Sequence, residues 1–279
     1  MGALQMKEKN LPVPSYALLL TTAFLVLIPF MWMVLTALKT ENEALRVPPV
    51  MFPQVPQFSN FVAALTVAPF LQYLFNTMIV AVFVVLLSTV VTVLAAFAFA
   101  WMDFPAKNLL FFVVMGSMMI PQEMLIITNF MTIAKLGWMN SYQALVLPYG
   151  VNAFNIFLLR QTMKQIPTDL FIASRIDGLS HFRFLRKVVF PIAKPTVLTT
   201  MLLSLIWVWN TFAWPNLITT KDSLRMISNG LSNAFTTNVT IRYELQMSAA
   251  TLVTIPLIIL FVSLRKNIFA GIQAGGIKG

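Results

Sequence analysis

Residues 166–195 read IPTDLFIASRIDGLSHFRFLRKVVFPIAKP, and the rest of the chain is organised around them. This is the longest segment that is neither membrane-apolar nor short, and it carries Arg175, Arg183, Arg186, Lys187 and Lys194. Its pattern predicts two short helices. Pro167 suits a first helical turn, and Thr168 or Asp169 can accept from the free amides there. Gly178 stops the first helix, because glycine readily takes the left-handed conformation that follows a helix end. Ser180 then caps a second helix, and Pro191 ends it. Phe182, Leu185 and Val189 share one face of that helix, while Arg183, Arg186 and Lys187 share another. That is an amphipathic, basic element at a membrane surface. A basic loop that does no more than set membrane topology is the competing reading.

The composition supplies the membrane. Of 279 residues, 58% are hydrophobic and only 10% are charged, and the mean hydropathy is +0.81. Soluble domains are nearer half apolar and one-quarter charged. Inside a bilayer the backbone must satisfy its own hydrogen bonds, so an all-α membrane protein is expected. The net charge of +10 is accounted for by the basic bias of cytoplasmic loops, with no nucleic-acid partner required. The absence of cysteine excludes disulfides and thiol catalysis. A lone histidine, His181, gives a metal no second imidazole.

Six apolar runs follow one another, each near the ~20 residues a bilayer core requires. They are 16–38, 73–100, 109–133, 142–159, 196–218 and 246–264. The first is too long for a signal-peptide core and no small-residue cleavage site follows it, so it reads as a retained span. Pro121 interrupts the third run, and Pro148 and Gly150 lie inside the fourth. Residues 39–72, with Pro48, Pro49, Pro53 and Pro56, read as an outer loop with partly helical ends, and 219–245 as a polar outer loop. Six spans leave both termini on one side. Roughly two-thirds of the Lys and Arg residues fall on the side of the 166–195 loop, which makes that side cytoplasmic.

No catalytic constellation is visible. The phosphate-cradling pattern G-x-x-x-x-G-K-[ST] is missing; the nearest match, Gly271 to Gly276, runs into Ile277 and the end of the sequence. Polar residues inside spans are the better leads. Glu123 lies deep in the third run, where a lipid-facing acid costs on the order of 2.5–3.5 kcal/mol. Asn152 and Asn155 lie in the fourth. In the fifth, WVWNTFAWPNL places Trp207, Asn210 and Trp214 on one helical face. All but Trp214 are candidates for a translocation path, with helix packing and interfacial anchoring as the alternatives.

The 166–195 stretch resembles the cytoplasmic signature loop of permease subunits of binding-protein-dependent ABC importers. That pattern is EAA, three residues, Gly, nine residues, then I-x-L-P. Here Ile172, Ala173 and Ser174 occupy the EAA positions, followed by Gly178 and then Val188-Val189-Phe190-Pro191, with the spacing kept. The surrounding IP, RIDG and Pro195 are similar to the carbohydrate branch. So is the W-N-x-F-x-W-P run, and the tail resembles a closing G-x-x-x-G-x-(I/V)-K-G pattern. Ile172 departs from the usual Glu and puts an ionic contact to the ATPase at that corner in doubt.

The resemblance implies a six-span type I importer permease, with residues 1–15 as a cytoplasmic N-terminus. Residues 16–266 would form the permease domain, with a coupling loop at 162–195, and 267–279 a cytoplasmic tail. It implies that Ile172, Ala173, Ser174, Asp177, Gly178 and Pro191 couple to an ATPase. Asp177 is expected to bond the backbone of its turn. Gly275, Gly276 and Lys278 would contact the ATPase through the tail. It further implies a second, different permease, two ATPases that bind the ATP, and an extracytoplasmic solute-binding protein around a chain that has no cofactor of its own. A sugar or oligosaccharide is the implied cargo. Glycerol phosphate or another polar solute is the alternative, and an ion-coupled transporter or a membrane scaffold are rivals of another kind.

Because the chain has no cysteine, the topology can be read with single thiols. An impermeant thiol reagent on intact cells is expected to label Thr237→Cys and to leave Ser180→Cys unlabelled until the cells are opened. Equal labelling of the two would overturn the arrangement.

Overall fold

A backbone in lipid that must bond to itself folds into helices, and helices account for the regular structure among the described residues. The computed structural model describes residues 13–235 and 242–276. Four helices are long and apolar enough to cross a bilayer: Pro14–Ala37, Phe70–Trp101, His181–Asn210 and Tyr243–Ser263. Two helix pairs bend at short breaks, Lys107–Ser117 with Gln122–Lys135 by 88° and Tyr142–Tyr149 with Ala153–Lys164 by 44°. Counting each pair as one broken span gives the six expected.

In chain order the α-helices are α1 (Val13–Ala37), α2 (Glu41–Ala44), α3 (Ser59–Val67), α4 (Phe70–Trp101), α5 (Lys107–Ser117), α6 (Ile126–Lys135) and α7 (Tyr142–Val146). They continue with α8 (Ala153–Lys164), α9 (Thr168–Ile176), α10 (His181–Phe184), α11 (Phe190–Asn210), α12 (Ala213–Ile218), α13 (Ile227–Ala234) and α14 (Tyr243–Gly276). The chain divides into two compact units, Met1–Val67 with Phe235–Thr254, and Ala68–Ala234 with Ile255–Gly279.

In the first unit, polar side chains fasten the chain where α1 ends. Asn60 donates from Nδ2 to the carbonyls of Ala37 and Lys39, at 2.9 and 2.8 Å. Thr40 and Glu43 form a capping box at the start of α2. The amides of Thr40 and Gln54 both donate to the Glu43 carboxylate, which holds it below the usual carboxylate range. Lys39 is buried with its ammonium 4.1 Å from the centre of the Trp32 ring. Burial lowers its pKa, and the Glu43 charge works in the opposite direction. Arg242 and buried Glu244 pair at 2.7 Å where α14 begins.

The second unit is built on α4. One apolar cluster gathers Val93, Phe97, Leu159, Met163, Phe184 and Val189, and another gathers Val80, Val84, Leu145, Val208 and Trp214. Between them runs a buried polar seam. Asn155 donates to Ser204 Oγ at 3.0 Å, and Ser204 lies 3.5 Å from Ser88 Oγ. The seam ties α4, α8 and α11 together, and its three side chains are all buried.

Five expectations change. Pro191 does not end a helix. Leu185–Val189 make a π-turn in which the Phe190 amide bonds the Leu185 carbonyl, and α11 restarts with Pro191 in its first turn, where no amide is needed. That turn also shifts the helix face: Phe184, Leu185 and Val189 are buried, whereas Phe182 is exposed. The fifth span stops at Asn210, so Trp214 stands on a separate helix, α12, and does not share a helical face with Trp207 and Asn210. Residues 219–245 are not a plain loop, since α13 lies there with Ile227, Asn229 and Gly230 buried. Finally, α14 runs on to Gly276 past the expected end of the sixth span. Thr237 and Lys278 lie outside the described residues.

The seat of α13 is close-fitting. Thr77 Oγ1 accepts from the Ile227 amide at 2.8 Å, and Asn76 donates to the carbonyls of Ser223 and Arg225, each at 2.9 Å. A β-carbon on Gly230 would run into the Tyr73 ring. Gly230→Ala is therefore expected to destabilise the protein by about 1–3 kcal/mol through overpacking. The double variant Gly230→Ala/Tyr73→Leu should recover part of the loss. Thermal unfolding of the purified protein in detergent measures both.

Candidate functional site

Helix breaks bring the polar residues together. Pro121 is extended, at φ −60° and ψ 128°, and Gln122–Leu125 form a 3-10 turn beyond it. A second 3-10 turn, Leu147–Tyr149, interrupts the fourth span before α8. The third break, at Thr211 and Phe212, separates α11 from α12. All three open on two adjoining clefts of about 310 and 250 Å³, which share Gln122, Glu123, Pro148, Tyr149 and Trp207. Non-helical backbone at membrane depth is tolerated where it is buried in protein or lines a watery cavity, and the clefts supply such a place.

Each lining residue has a local reason for its position. Glu123 lies in the first turn of its 3-10 segment and is exposed to the cleft, without an ion pair or hydrogen-bond partner among the described residues. Asn152 caps α8, accepting from the Asn155 amide at 3.0 Å. The Tyr149 and Trp207 rings meet edge to face, 4.4 Å between centres at 82°. The Tyr149 hydroxyl lies 3.3 Å from Thr211 Oγ1, which links the second break to the third. Trp214 donates from Nε1 to the Ala144 carbonyl at 2.9 Å, fixing α12 against α7.

Of the expected path residues, Glu123, Asn152 and Trp207 line the cleft. Asn155 is buried beside it in the Ser88–Ser204 seam. Asn210 is exposed and donates to the Ile206 carbonyl of its own helix at 2.8 Å; it lines neither cleft. Sequence reasoning missed Tyr149 and Gln122. The Pro148-Tyr149-Gly150 run inside an apolar segment was the available signal.

The loop that follows α8 is built as a rigid bracket. α9 closes in a Schellman motif: the Leu179 amide bonds the Ser174 carbonyl at 2.9 Å, and the Gly178 amide bonds the Arg175 carbonyl at 3.1 Å. Gly178 has φ +72°, the left-handed conformation this motif needs. Ser180 caps α10, accepting from the Arg183 amide. Phe171 packs on Trp101 and Phe184 with ring centres 5.4 and 5.1 Å apart, and Trp101 meets Phe184 edge on at 5.4 Å. This aromatic clamp joins α9 and α10 to the end of α4.

Two residues of the loop differ from expectation. Ser174 is buried, with its hydroxyl donating to the Phe171 carbonyl at 2.7 Å, so its small size lets α9 lie close on its own chain. The Asp177 carboxylate makes no hydrogen bond among the described residues, because the carbonyls of Ser174 and Arg175 already hold the amides of the turn. Ile172, Ala173 and Ile176 are exposed, Ile172 at 56% and Ile176 at 81%. Gly275 and Gly276 close α14, and Lys278 lies beyond the described residues. Among the described residues no three His, Cys, Asp or Glu side chains gather closely enough to hold a metal.

Comparison with known proteins agrees with this architecture. Residues 88–273 match the family described as binding-protein-dependent transport system inner membrane component. The arabinooligosaccharides transport system permease protein AraQ of Halalkalibacterium halodurans is 28% identical, over 98% of this chain and 100% of its own. The trehalose/maltose transport system permease protein MalG of Thermococcus litoralis is 32% identical, over 92% and 93%. The sn-glycerol-3-phosphate transport system permease protein UgpE of Salmonella typhi is 28% identical, over 95% and 97%. A crystal structure of a bacterial ABC transporter involved in the import of the acidic polysaccharide alginate contains a chain of the same fold. The TM-score is 0.78 at 24% identity, covering 91% of this chain and 95% of that one. With the family match spanning more than half of its length, the chain belongs to the inner membrane components of binding-protein-dependent transport systems, multi-pass subunits that work with partner subunits and are not enzymes.

Proposed function

We propose that this chain is a permease subunit of an ATP-driven importer of sugars or oligosaccharides. The observation that carries the proposal is the meeting of three helix breaks on two adjoining clefts lined by Tyr149, Trp207, Glu123 and Asn152. Aromatic faces cover the apolar side of a sugar ring, and a few placed amides and carboxylates take its hydroxyls. The arabinooligosaccharide and trehalose/maltose permeases among the relatives support that substrate class. The relatives named for sn-glycerol-3-phosphate support a second reading, a small polar organic solute.

In this proposal the chain pairs with a second, different permease in a bacterial inner membrane, with both termini cytoplasmic. Two cytoplasmic ATPases bind the ATP, and an extracytoplasmic binding protein delivers the solute. Residues 16–266 form the permease domain, 162–195 the coupling loop and 267–279 the tail, with Gly275, Gly276 and Lys278 against the ATPases. Ile172 and Ala173 dock in an ATPase groove, while Ser174, Asp177, Gly178 and Pro191 shape the bracket that carries them. When the ATPases close, α9 moves as a unit with α10 and α4 because the Trp101–Phe171–Phe184 clamp joins them. The cleft then opens to the outside by rigid-body motion.

Two results are expected. Ala173→Asp puts a charge on the docking face, and Gly178→Val forces a branched side chain into a left-handed turn at roughly 1–2 kcal/mol. Both should abolish uptake by vesicles while the chain still assembles in the membrane. Measuring ATPase retention and binding-protein-stimulated hydrolysis in the purified complex separates lost docking from lost coupling. Wild-type values for both variants would remove the loop from the mechanism. Glu123→Gln keeps the shape and removes the charge, so assembly should survive and transport change. Uptake across a panel of sugars, by cells lacking the gene and complemented with either form, gives the readout. Full uptake with an unchanged substrate range would take Glu123 out of the path.

A further inference from the structure

We infer that the cleft admits solutes without negative charge and discriminates against anionic ones. This rests on the reading of the cleft as part of the translocation path. The charged side chain lining the two clefts is Glu123; neither lining includes a Lys, Arg or His. No described cation pairs with its carboxylate, so no described residue neutralises its field. Phosphates and carboxylates are usually held by Arg or Lys, or by free amides at a helix start.

Two helix starts at this cleft carry side-chain oxygens of the chain itself. Glu123 lies in the first turn of the segment beyond Pro121. At α8, Asn152 Oδ1 takes the Asn155 amide. An anion entering here would meet the Glu123 carboxylate and find the Asn155 amide taken. An uncharged polyol meets complementary groups instead. Its hydroxyls can donate to Glu123 and exchange hydrogen bonds with Gln122 and Asn152, with the Tyr149–Trp207 pair against its ring.

The test uses the whole transporter in membrane vesicles, with its partner subunits in place. Single cysteines replace Val151, which lines the first cleft, and Ala213, which lines the second. Each thiol is reacted with sulfonatoethyl methanethiosulfonate and with trimethylammonioethyl methanethiosulfonate, small reagents of opposite charge. Rates are divided by those of a free thiol in the same buffer, and vesicles carrying the cysteine-free chain serve as the blank. The cationic reagent should be favoured roughly threefold to tenfold at both positions, and the preference should fall to about one when Glu123→Gln is added. Modification should also block uptake of a neutral oligosaccharide. A preference that is absent, reversed or unchanged by Glu123→Gln overturns the inference, and a block of uptake in that case leaves the path reading standing. Uptake untouched by modification overturns the path reading and the inference together.

Discussion

A backbone that leaves the helix inside a bilayer must find partners for the amides and carbonyls it frees, since lipid offers none. That constraint governs the second unit. Its apolar helices break near Pro121, near Pro148 and at Thr211, and side chains from elsewhere in the fold meet the second and third breaks. The Tyr149 hydroxyl reaches Thr211, Trp214 bonds the Ala144 carbonyl, and Ser228 Oγ donates to the Thr211 carbonyl at 2.6 Å. Placing the three breaks around adjoining clefts lets these few side chains serve two of them and leaves the one near Pro121 open to a watery space. The site is therefore a consequence of how the fold solves a hydrogen-bonding problem, and its polar lining comes with the solution.

The same helices that end at the cleft begin at the bracket. α11 carries Ser204 and Trp207 at the cleft and joins the clamp through the π-turn below Phe190. That is about 25 Å of helix between the two, at roughly 1.5 Å per residue. α8 spans the remaining gap between Asn152 and Met163. Both pack on α4 through the Asn155–Ser204–Ser88 seam, so under the proposed docking a push at α9 would reach helices already tied together by that seam. Close-packed protein interiors transmit displacement without absorbing much of it.

What could be read from the sequence was what local chemistry decides. Gly178 and Ser180 are stop and start signals whose partners lie within five residues, and both turns formed as their residue types require. Glu123 and Asn152 stood out because a polar group in an apolar run needs a reason. The fifth span was misjudged because Thr211 and Phe212 carry no Pro or Gly to mark a break. The helix within 219–245 was hidden for a different reason: its partners Tyr73, Asn76 and Thr77 lie about 150 positions away. A polar segment buried by distant side chains has no signature of its own. Tyr149 is marked only by the Pro148 and Gly150 beside it, because an aromatic residue in a membrane run is as easily core as cleft.

The Ile172 departure becomes intelligible on the bracket. Its neighbours on the outward face are Ala173 and Ile176, and the nearby Arg175 guanidinium turns back to the Leu179 carbonyl at 3.3 Å. A glutamate there would add one exposed charge, and an exposed ion pair contributes about 0–1 kcal/mol and weakens with salt. Two exposed isoleucines offer more. Burying such a side chain against a partner is worth about 1.5–3 kcal/mol, with no dependence on matching a counter-charge. Under the proposed docking, the corner where the family pattern places an acid has an apolar contact in its place. The rigid Schellman turn beneath it keeps that contact in register, so the loss of the ionic residue changes the chemistry of the joint without loosening its geometry.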